Sequence, residues 1–359
     1  MQSYALQKYL NNKNIDNEII DFSNEGQKYL YSVFCKNTSL KNILKNILVF
    51  PYYKKLSFNN EKYEQFKNAN FKLSERIDDS KKLTDDNYSG VVAGSDQIWN
   101  ITIEDFDNAY FLSWVKHAKK IAYAPSFGAK NILDYASNPQ EYIDFLNSFN
   151  ALSIRENNGK KWIKKLIGKD VEVLIDPTLL LDSKEYNVLL DNSCLPKKDY
   201  IFFYCPTFNI DICKFVKKIS NKYKLPVIAW SAKSYYIKGI YRFGFKLPKY
   251  ENPSVYLSLI KNATLVFTTS FHGTIFSTIY RKQFFTIKNG GMYGNDDRVL
   301  TLINSLGISD RLISYQFNEK FDYMKKVDYS KYEKKLPILK EKASKFIKDN
   351  IEVIYENTK

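Results

Sequence analysis

Short apolar runs, each closed by a polar tip and followed by a helix-length segment, recur along most of this chain. In its first half such runs occur at residues 90–93, 120–124, 150–154 and 171–175. Uninterrupted apolar runs of this length, separated by amphipathic helices, are typical of parallel strands that are covered on both faces. The pattern therefore predicts an α/β fold with parallel sheets.

The alternation starts again after residue 181, with predicted strands at 200–205, 226–230, 264–268 and 283–287. A chain of 359 residues is too long for one compact core. We therefore predict two Rossmann-like domains that face each other across a cleft, residues 1–183 and 184–330, with the boundary near 181–192. Residues 331–359 are predicted to form a basic helix that packs back toward the first domain. In such sheets, ligands bind beyond the carboxyl ends of the strands.

Composition narrows the class of protein. The chain is 44% hydrophobic, which excludes wholesale disorder, and it has no apolar run long enough to span a membrane. Its first ten residues lack the basic flank and apolar core of a secretory leader, so we expect a cytoplasmic protein. Four scattered cysteines and two histidines predict reduced thiols, no metal site and no bound cofactor.

The net charge is +15, from 54 basic and 39 acidic residues, and only six of the basic residues are arginines. Lysines spread along a chain are typical of a solvated surface. They could instead attract an anionic substrate or an anionic membrane. No nucleic-acid-binding motif is present, so we expect no nucleic acid partner. The lysines of residues 331–348, beside Leu339 and Phe346, leave two interpretations: an ordinary packed helix, or a peripheral contact with the inner membrane surface.

His272 follows the predicted strand 264–268 and precedes Gly273 and a predicted helix start. A helix N-terminus favours anions, and an imidazole there can exchange protons at neutral pH. We predict a functional role for His272, with a hydrogen-bonded structural histidine as the alternative. His117 has no such setting and is predicted to lie on the surface.

Three further charged residues stand at strand ends or helix starts. Asp96 is part of a turn that either caps a helix or faces a ligand. Arg155 either pairs with Glu156 or Asp176, or binds a carboxylate or phosphate in bidentate fashion. Arg298 follows two aspartates that either cap a helix and pair with it, or leave it to bind an anionic ligand. Dinucleotide, P-loop, zinc-protease and α/β-hydrolase motifs are absent from the sequence.

Six strings between Gln2 and Leu312 together resemble the polysaccharide pyruvyl transferase family: GSDQIWN, APSFG, SIREN, DPTLLL, SFHG and DDRVLTLINSLGISDR. The resemblance implies a glycosyltransferase-B-like fold and phosphoenolpyruvate as co-substrate. It implies a cell-surface or capsular glycan, often lipid-linked, as acceptor. The implied product is a pyruvate ketal bridging two hydroxyls of one sugar, formed with release of phosphate.

This resemblance suggests roles for the candidate residues. His272, as acid or phosphate contact, and Asp96, at the acceptor hydroxyl, are the predicted catalytic pair. The predicted donor-binding residues are Arg155, Arg298, Ser270, Gly273 and Thr274. The predicted acceptor-binding residues are Ser95, Gln97, Trp99, Ser126 and Phe127. This scheme needs no metal.

Two departures from the family pattern add expectations. Many members carry an arginine where this chain has Ser270, so another cation is expected to replace it. Members usually begin with a strand and a glycine-rich turn, so we expect an unpaired edge or a gap beside Val91–Ala93. Restoring about 15 upstream residues would then raise stability and activity, since a strand needs roughly 5–6 residues. The alternatives are a nucleotide-sugar glycosyltransferase on the same fold and an inactive scaffold in glycan assembly.

Overall fold

The computed structural model describes residues 1–288 and 297–356 and contains two parallel sheets. The first sheet has the strand order β1-β2-β3-β4, and the second has the order β6-β5-β7-β8-β9. The first-sheet strands are β1 Gly90–Ala93, β2 Lys119–Ala122, β3 Ala151–Ile154 and β4 Glu172–Val173. Those of the second are β5 Ile201–Tyr204, β6 Val227–Trp230, β7 Leu265–Thr268, β8 Phe284–Ile287 and β9 Leu312–Ile313.

Helices surround both sheets. In the first half they are α1 Gln2–Asn12, α2 Glu25–Leu30, α3 Leu40–Val49, α4 Tyr53–Asn70, α5 Ile132–Tyr135, α6 Pro139–Asn147, α7 Asn157–Ile167 and α8 Ser183–Asn187. In the second half they are α9 Ile210–Tyr223, α10 Ala232–Ile237, α11 Pro253–Asn262, α12 Phe271–Ile279, α13 Asp297–Leu306, α14 Ser330–Ile347 and α15 Val353–Glu356. A π-helical segment, Lys348–Glu352, joins α14 to α15. The predicted α/β class is confirmed.

All the strand pairs are parallel, so their carboxyl ends meet at one edge of each sheet. Val91 of β1 pairs with Lys120 of β2, and Phe202 of β5 pairs with Val266 of β7. The predicted boundary at 181–192 falls between β4 and β5. The division into an acceptor and a donor domain stays a prediction.

β1 lies at an edge of the first sheet, and a cavity of about 650 Å³ lies beside it. The cavity is lined by β1 itself, by α1, by residues 15–20 and by the C-terminal segment around Ile351 and Ile354. Within the described ranges no strand pairs with this edge of β1. This cavity therefore lies beside Val91–Ala93. The idea that an upstream strand is missing there stays a prediction.

The C-terminal helix α14 contacts residues of the first half of the chain. The Tyr9 hydroxyl donates to Ser344 Oγ, and the rings of Tyr123 and Phe346 lie 6.2 Å apart. Lys340 forms an ion pair with Asp182. The packed-helix interpretation thus describes how α14 is held, because Leu339 and Phe346 face the core. None of the helices in the described ranges is both long and apolar enough to cross a membrane.

Candidate active site at the domain interface

The turn after β1 presents Asp96 at the carboxyl edge of the first sheet. Gly94 there has φ +128°, and a Cβ at this position would lie 2.1 Å from the carbonyl oxygen of Tyr123, so only glycine fits. The Asp96 side chain is 50% exposed. Its Oδ2 accepts a hydrogen bond from Gln2 Nε2 at 2.9 Å, and its Oδ1 accepts one from the Gln97 amide at 2.8 Å. The turn therefore holds a carboxylate that remains open to a ligand.

A buried ion pair lies behind this turn. Arg155, directly after β3, places Nη1 2.6 Å from Oδ2 of Asp176, which follows β4. Oδ1 of Asp176 accepts hydrogen bonds from the amide and the hydroxyl of Thr178. Ser95 Oγ lies 3.3 Å from Asp176 Oδ2. Of the two interpretations of Arg155, the structure shows the ion pair with Asp176.

His272, the second residue of α12, brings the C-terminal domain into this cluster. Its Nε2 lies 3.4 Å from Asp176 Oδ2, and its side chain is 24% exposed. The adjacent Phe271 ring packs 4.3 Å from the Arg155 guanidinium. Ser270 caps α12, because its Oγ accepts a hydrogen bond from the Gly273 amide at 3.3 Å.

The charges in the cluster determine the protonation of its aspartates. Burial alone would raise the pKa of Asp176, but the contacts with His272, Arg155 and Thr178 hold it well below its usual value. Burial acts on the Asp96 pKa in the same upward direction and is outweighed by Arg155 and His272, so that this pKa is also lowered. Both side chains are carboxylates at neutral pH.

Glu156, the neighbour of Arg155, is a different kind of carboxyl. It is completely buried and accepts hydrogen bonds from the Phe127 amide and from Ser126 Oγ. Burial raises the pKa of Glu156 to about 7, against the opposing effects of Arg155 and Arg298. Arg298, near the start of α13, is therefore close enough to act on Glu156 and is itself 4% exposed.

Comparison with protein families shows which family this chain belongs to. The family model of polysaccharide pyruvyl transferase matches residues 1–291 of the chain. The chain belongs to the polysaccharide pyruvyl transferase family. It is therefore related to transferases of polysaccharide synthesis, as the six sequence strings predict. A search of curated proteins finds none that matches this chain significantly.

Solved structures give weak global similarity to this pyruvyl transferase relative. UDP-GlcNAc 2-epimerase from Neisseria meningitidis, bound to UDP-GlcNAc, aligns over 97% of this chain and 96% of its own, with 10% identity and a TM-score of 0.46. The E. coli heptosyltransferase WaaC with ADP-2-deoxy-2-fluoro heptose aligns over 77% of this chain and 91% of its own, with 10% identity and a TM-score of 0.35.

Some predicted ligand contacts of this family member lie in the core instead. Trp99 and Phe127 are completely buried, with their rings 5.5 Å apart, and Ser126 is also fully buried. The Thr274 hydroxyl is buried between the Ser270 carbonyl and Thr286 Oγ1. We therefore reassign these four residues as supports for the loops that carry Asp96 and His272. Gln97 and the partly buried Ser270 remain next to the cluster.

Motif reasoning did not single out two tyrosines that interact electrostatically with Asp96. The surrounding protein raises the pKa of Tyr31, and Asp96 adds to this effect, so Tyr31 lies within electrostatic reach of the site. Tyr204 lies at the carboxyl end of β5. Burial raises the pKa of Tyr204, and Glu251, Tyr31 and Asp96 add to this effect. No motif marks Tyr31, because it lies in an irregular Lys- and Asn-rich stretch. Tyr204 could have been found from its position at the end of a predicted strand.

Proposed function

We propose that this chain transfers the pyruvyl group of phosphoenolpyruvate to two hydroxyls of one sugar in a cell-surface polysaccharide or its lipid-linked precursor. The observation that carries the proposal is the convergence of Asp96 and His272, from two different domains, on the buried Arg155–Asp176 pair. Family membership supports the reaction class. A proton donor and a hydroxyl-binding carboxylate that face one cleft are what the chemistry requires.

The donor is proposed to bind at the N-terminus of α12. The first turn of a helix has amide groups without intrahelical acceptors, and its dipole favours a phosphate there. His272 lies in that turn, so its imidazole can contact the phosphate or the reacting carbon. Arg155 and Arg298 are nearly buried, and we propose that they act on the donor through the field of the cluster.

The proposed reaction begins when His272 gives a proton to C3 of the enol, which makes C2 electrophilic. The oxygen of one sugar hydroxyl bonds to C2 while its proton passes to Asp96. The bond between C2 and the phosphate oxygen then breaks, and the second hydroxyl bonds to C2. Of the two hydroxyl protons, one replaces the proton lost by His272 and the other leaves with phosphate. Asp176, 3.4 Å from Nε2, positions the imidazole.

The direct test incubates the protein with phosphoenolpyruvate and candidate lipid-linked glycans. Release of phosphate, together with a mass gain on the glycan of one pyruvate less one water, is the expected result. His117→Ala is the matched control, since His117 is the other histidine of the chain and lies exposed, away from the cluster. Turnover of a nucleotide sugar but not of phosphoenolpyruvate would support a glycosyltransferase. Tight binding of a partner without turnover of either donor would support a scaffold.

A further inference from the structure

A helix near the cleft turns its apolar face to solvent. In α3 and the turn that follows it, Leu40 is 81% exposed, Leu44 and Ile47 are each 61% exposed, and Phe50 is 71% exposed. Their spacing of three and four residues places them on one side of the helix. Val49, on the opposite side, is 1% exposed. The outward side is called the α3 apolar face and comprises Leu40, Ile43, Leu44, Ile47, Leu48 and Phe50.

The orientation of α3 is fixed by its inner side. Val49 packs in a small cluster with Leu56 and Ala232 of α10. The side chain of Asn46 makes two hydrogen bonds with the backbone of Cys35, one at its amide and one at its carbonyl. A helix held in this way cannot rotate its apolar face inward without losing these contacts. The fold therefore holds this apolar face at the surface. An exposed apolar patch of this kind marks a site where a protein or a membrane binds.

The charged side chains in the stretch of sequence around α3 are all positive. Residues 26–60 contain six lysines and no aspartate or glutamate. With 39 acidic residues in a chain of 359, about four would be expected in a stretch of 35. Lys41 lies on the same helix and borders the apolar face next to Leu48 on the helical wheel. An apolar face in a stretch whose charged residues are all lysines matches a surface that is anionic outside and apolar beneath.

We propose that the α3 apolar face docks on an anionic lipid bilayer. Apolar side chains of an interfacial helix enter the region between headgroups and acyl chains, while flanking lysines attract anionic headgroups. A second copy of the chain fits less well, since a two-fold contact would bring the lysines of one α3 toward those of the other. The identity of the lipid-linked acceptor rests on the proposed function, but the docking surface itself does not.

The position of α3 links the bilayer to the site. α2 and Tyr31 precede α3, and Tyr31 is within electrostatic reach of Asp96. Lys233 of α10 donates a hydrogen bond to the carbonyl of Ser32 in the same segment. Docking through α3 would therefore bring the segment that carries Tyr31 and Ser32 close to the headgroups, where a lipid-linked sugar lies.

The test is sedimentation of the purified chain with glycan-free vesicles of phosphatidylcholine, with or without phosphatidylglycerol. Two variants are compared: Lys41→Glu with Leu44→Glu on α3, and Lys334→Glu with Ile338→Glu on α14. Ile338 is 66% exposed, and both pairs change the net charge equally, so the second pair is a matched control. The α3 pair should weaken partition into anionic vesicles by about tenfold or more, and the α14 pair should leave it near wild type.

Three results would overturn the proposal. Wild type could show no preference for anionic vesicles at low salt. The α14 pair could abolish binding as fully as the α3 pair. Light scattering could show a wild-type dimer that the α3 pair dissociates, without vesicle binding. These vesicles carry no acceptor, so phosphate release is not read in this test. Failure of the separate transfer assay with lipid-linked glycans would count against the proposed function alone and leave the docking surface standing.

Discussion

Asp176 connects two kinds of residue in the site, because one oxygen of its buried carboxylate contacts both the buried Arg155 and the partly exposed His272. The arginine is stacked on Phe271 and has little surface for a ligand. The side chain of His272 is 24% exposed, although its Nε2 is buried beside Asp176. At the scale of single residues, Asp176 thus joins a buried cation to a side chain that is partly exposed.

Replacing His272 by Ala should lower turnover by roughly 10²–10⁴-fold, the usual contribution of a general acid. The fold should survive, since the side chain is partly exposed and its Nε2 makes no hydrogen bond of good geometry among the described residues. Steady-state phosphate release and thermal melting measure the two effects, with His117→Ala as control. Near-normal turnover of His272→Ala would make His272 a structural residue.

Asp176→Asn should cost about 3–5 kcal/mol of unfolding free energy, because it leaves the Arg155 charge buried without its counter-ion. Asp170→Asn is the comparison, since Asp170 forms an exposed ion pair with Lys160 and should cost less than about 1 kcal/mol. Urea denaturation measures both. Equal stability of the two variants would show that the buried pair does not contribute to the stability of the fold.

At the scale of elements, α12 carries His272 and depends on close packing against β7. A Cβ at Gly273 would lie 2.2 Å from Thr268 Oγ1 and 2.9 Å from Thr268 Cβ. Gly273→Ala should therefore push the start of α12 away, with a cost of about 1–3 kcal/mol and a loss of turnover. Gly90→Ala is the control, because its added Cβ meets only ordinary contacts at 3.5 Å or more. A Gly273→Ala protein with wild-type melting and turnover would contradict this account.

Most elements followed from local pattern. The predicted strand 90–93 has the observed bounds of β1, because a short apolar run marks it in the sequence. The two-residue strand β9 was not predicted, because it is too short to have a pattern of its own.

The site was predictable only in part, for a physical reason. Strand-end position marks Asp96, Arg155 and His272, since parallel strands bring their carboxyl ends together. Burial depends on the tertiary fold, so the sequence could not show that Trp99 and Phe127 face the core. The acidic residue before Asp297 lies outside the described residues. Asp297 itself accepts a hydrogen bond from the Asn158 amide at 2.7 Å, so it caps α7 of the other domain.

At the scale of the whole molecule, each domain contains a buried glutamate whose pKa is raised. Glu156 lies in the first domain, and burial raises its pKa to about 7. Glu251 lies in the second, and burial raises its pKa to about 7 even though the amides of Ser231 and Ala232 donate to it. In an unfolded chain both would titrate near 4.5. The folded state therefore binds more protons than the unfolded state between these two values.

The free energy of unfolding should consequently fall as the pH rises from about 4.5 through 7, by at most about 3 kcal/mol for each carboxyl. Below 4.5 both states are protonated at these groups and the contribution is complete, while above 7 it has been lost. Glu156→Gln should remove the part of this pH dependence that Glu156 contributes, and it should stabilise the protein at pH 8. Glu251→Gln should do the same for the contribution of Glu251 in the second domain. Urea denaturation at pH 5, 6, 7 and 8 measures the slopes. A wild-type stability that is level across this range, or Gln variants that keep the full slope, would mean that these carboxyls are ionised in the folded protein.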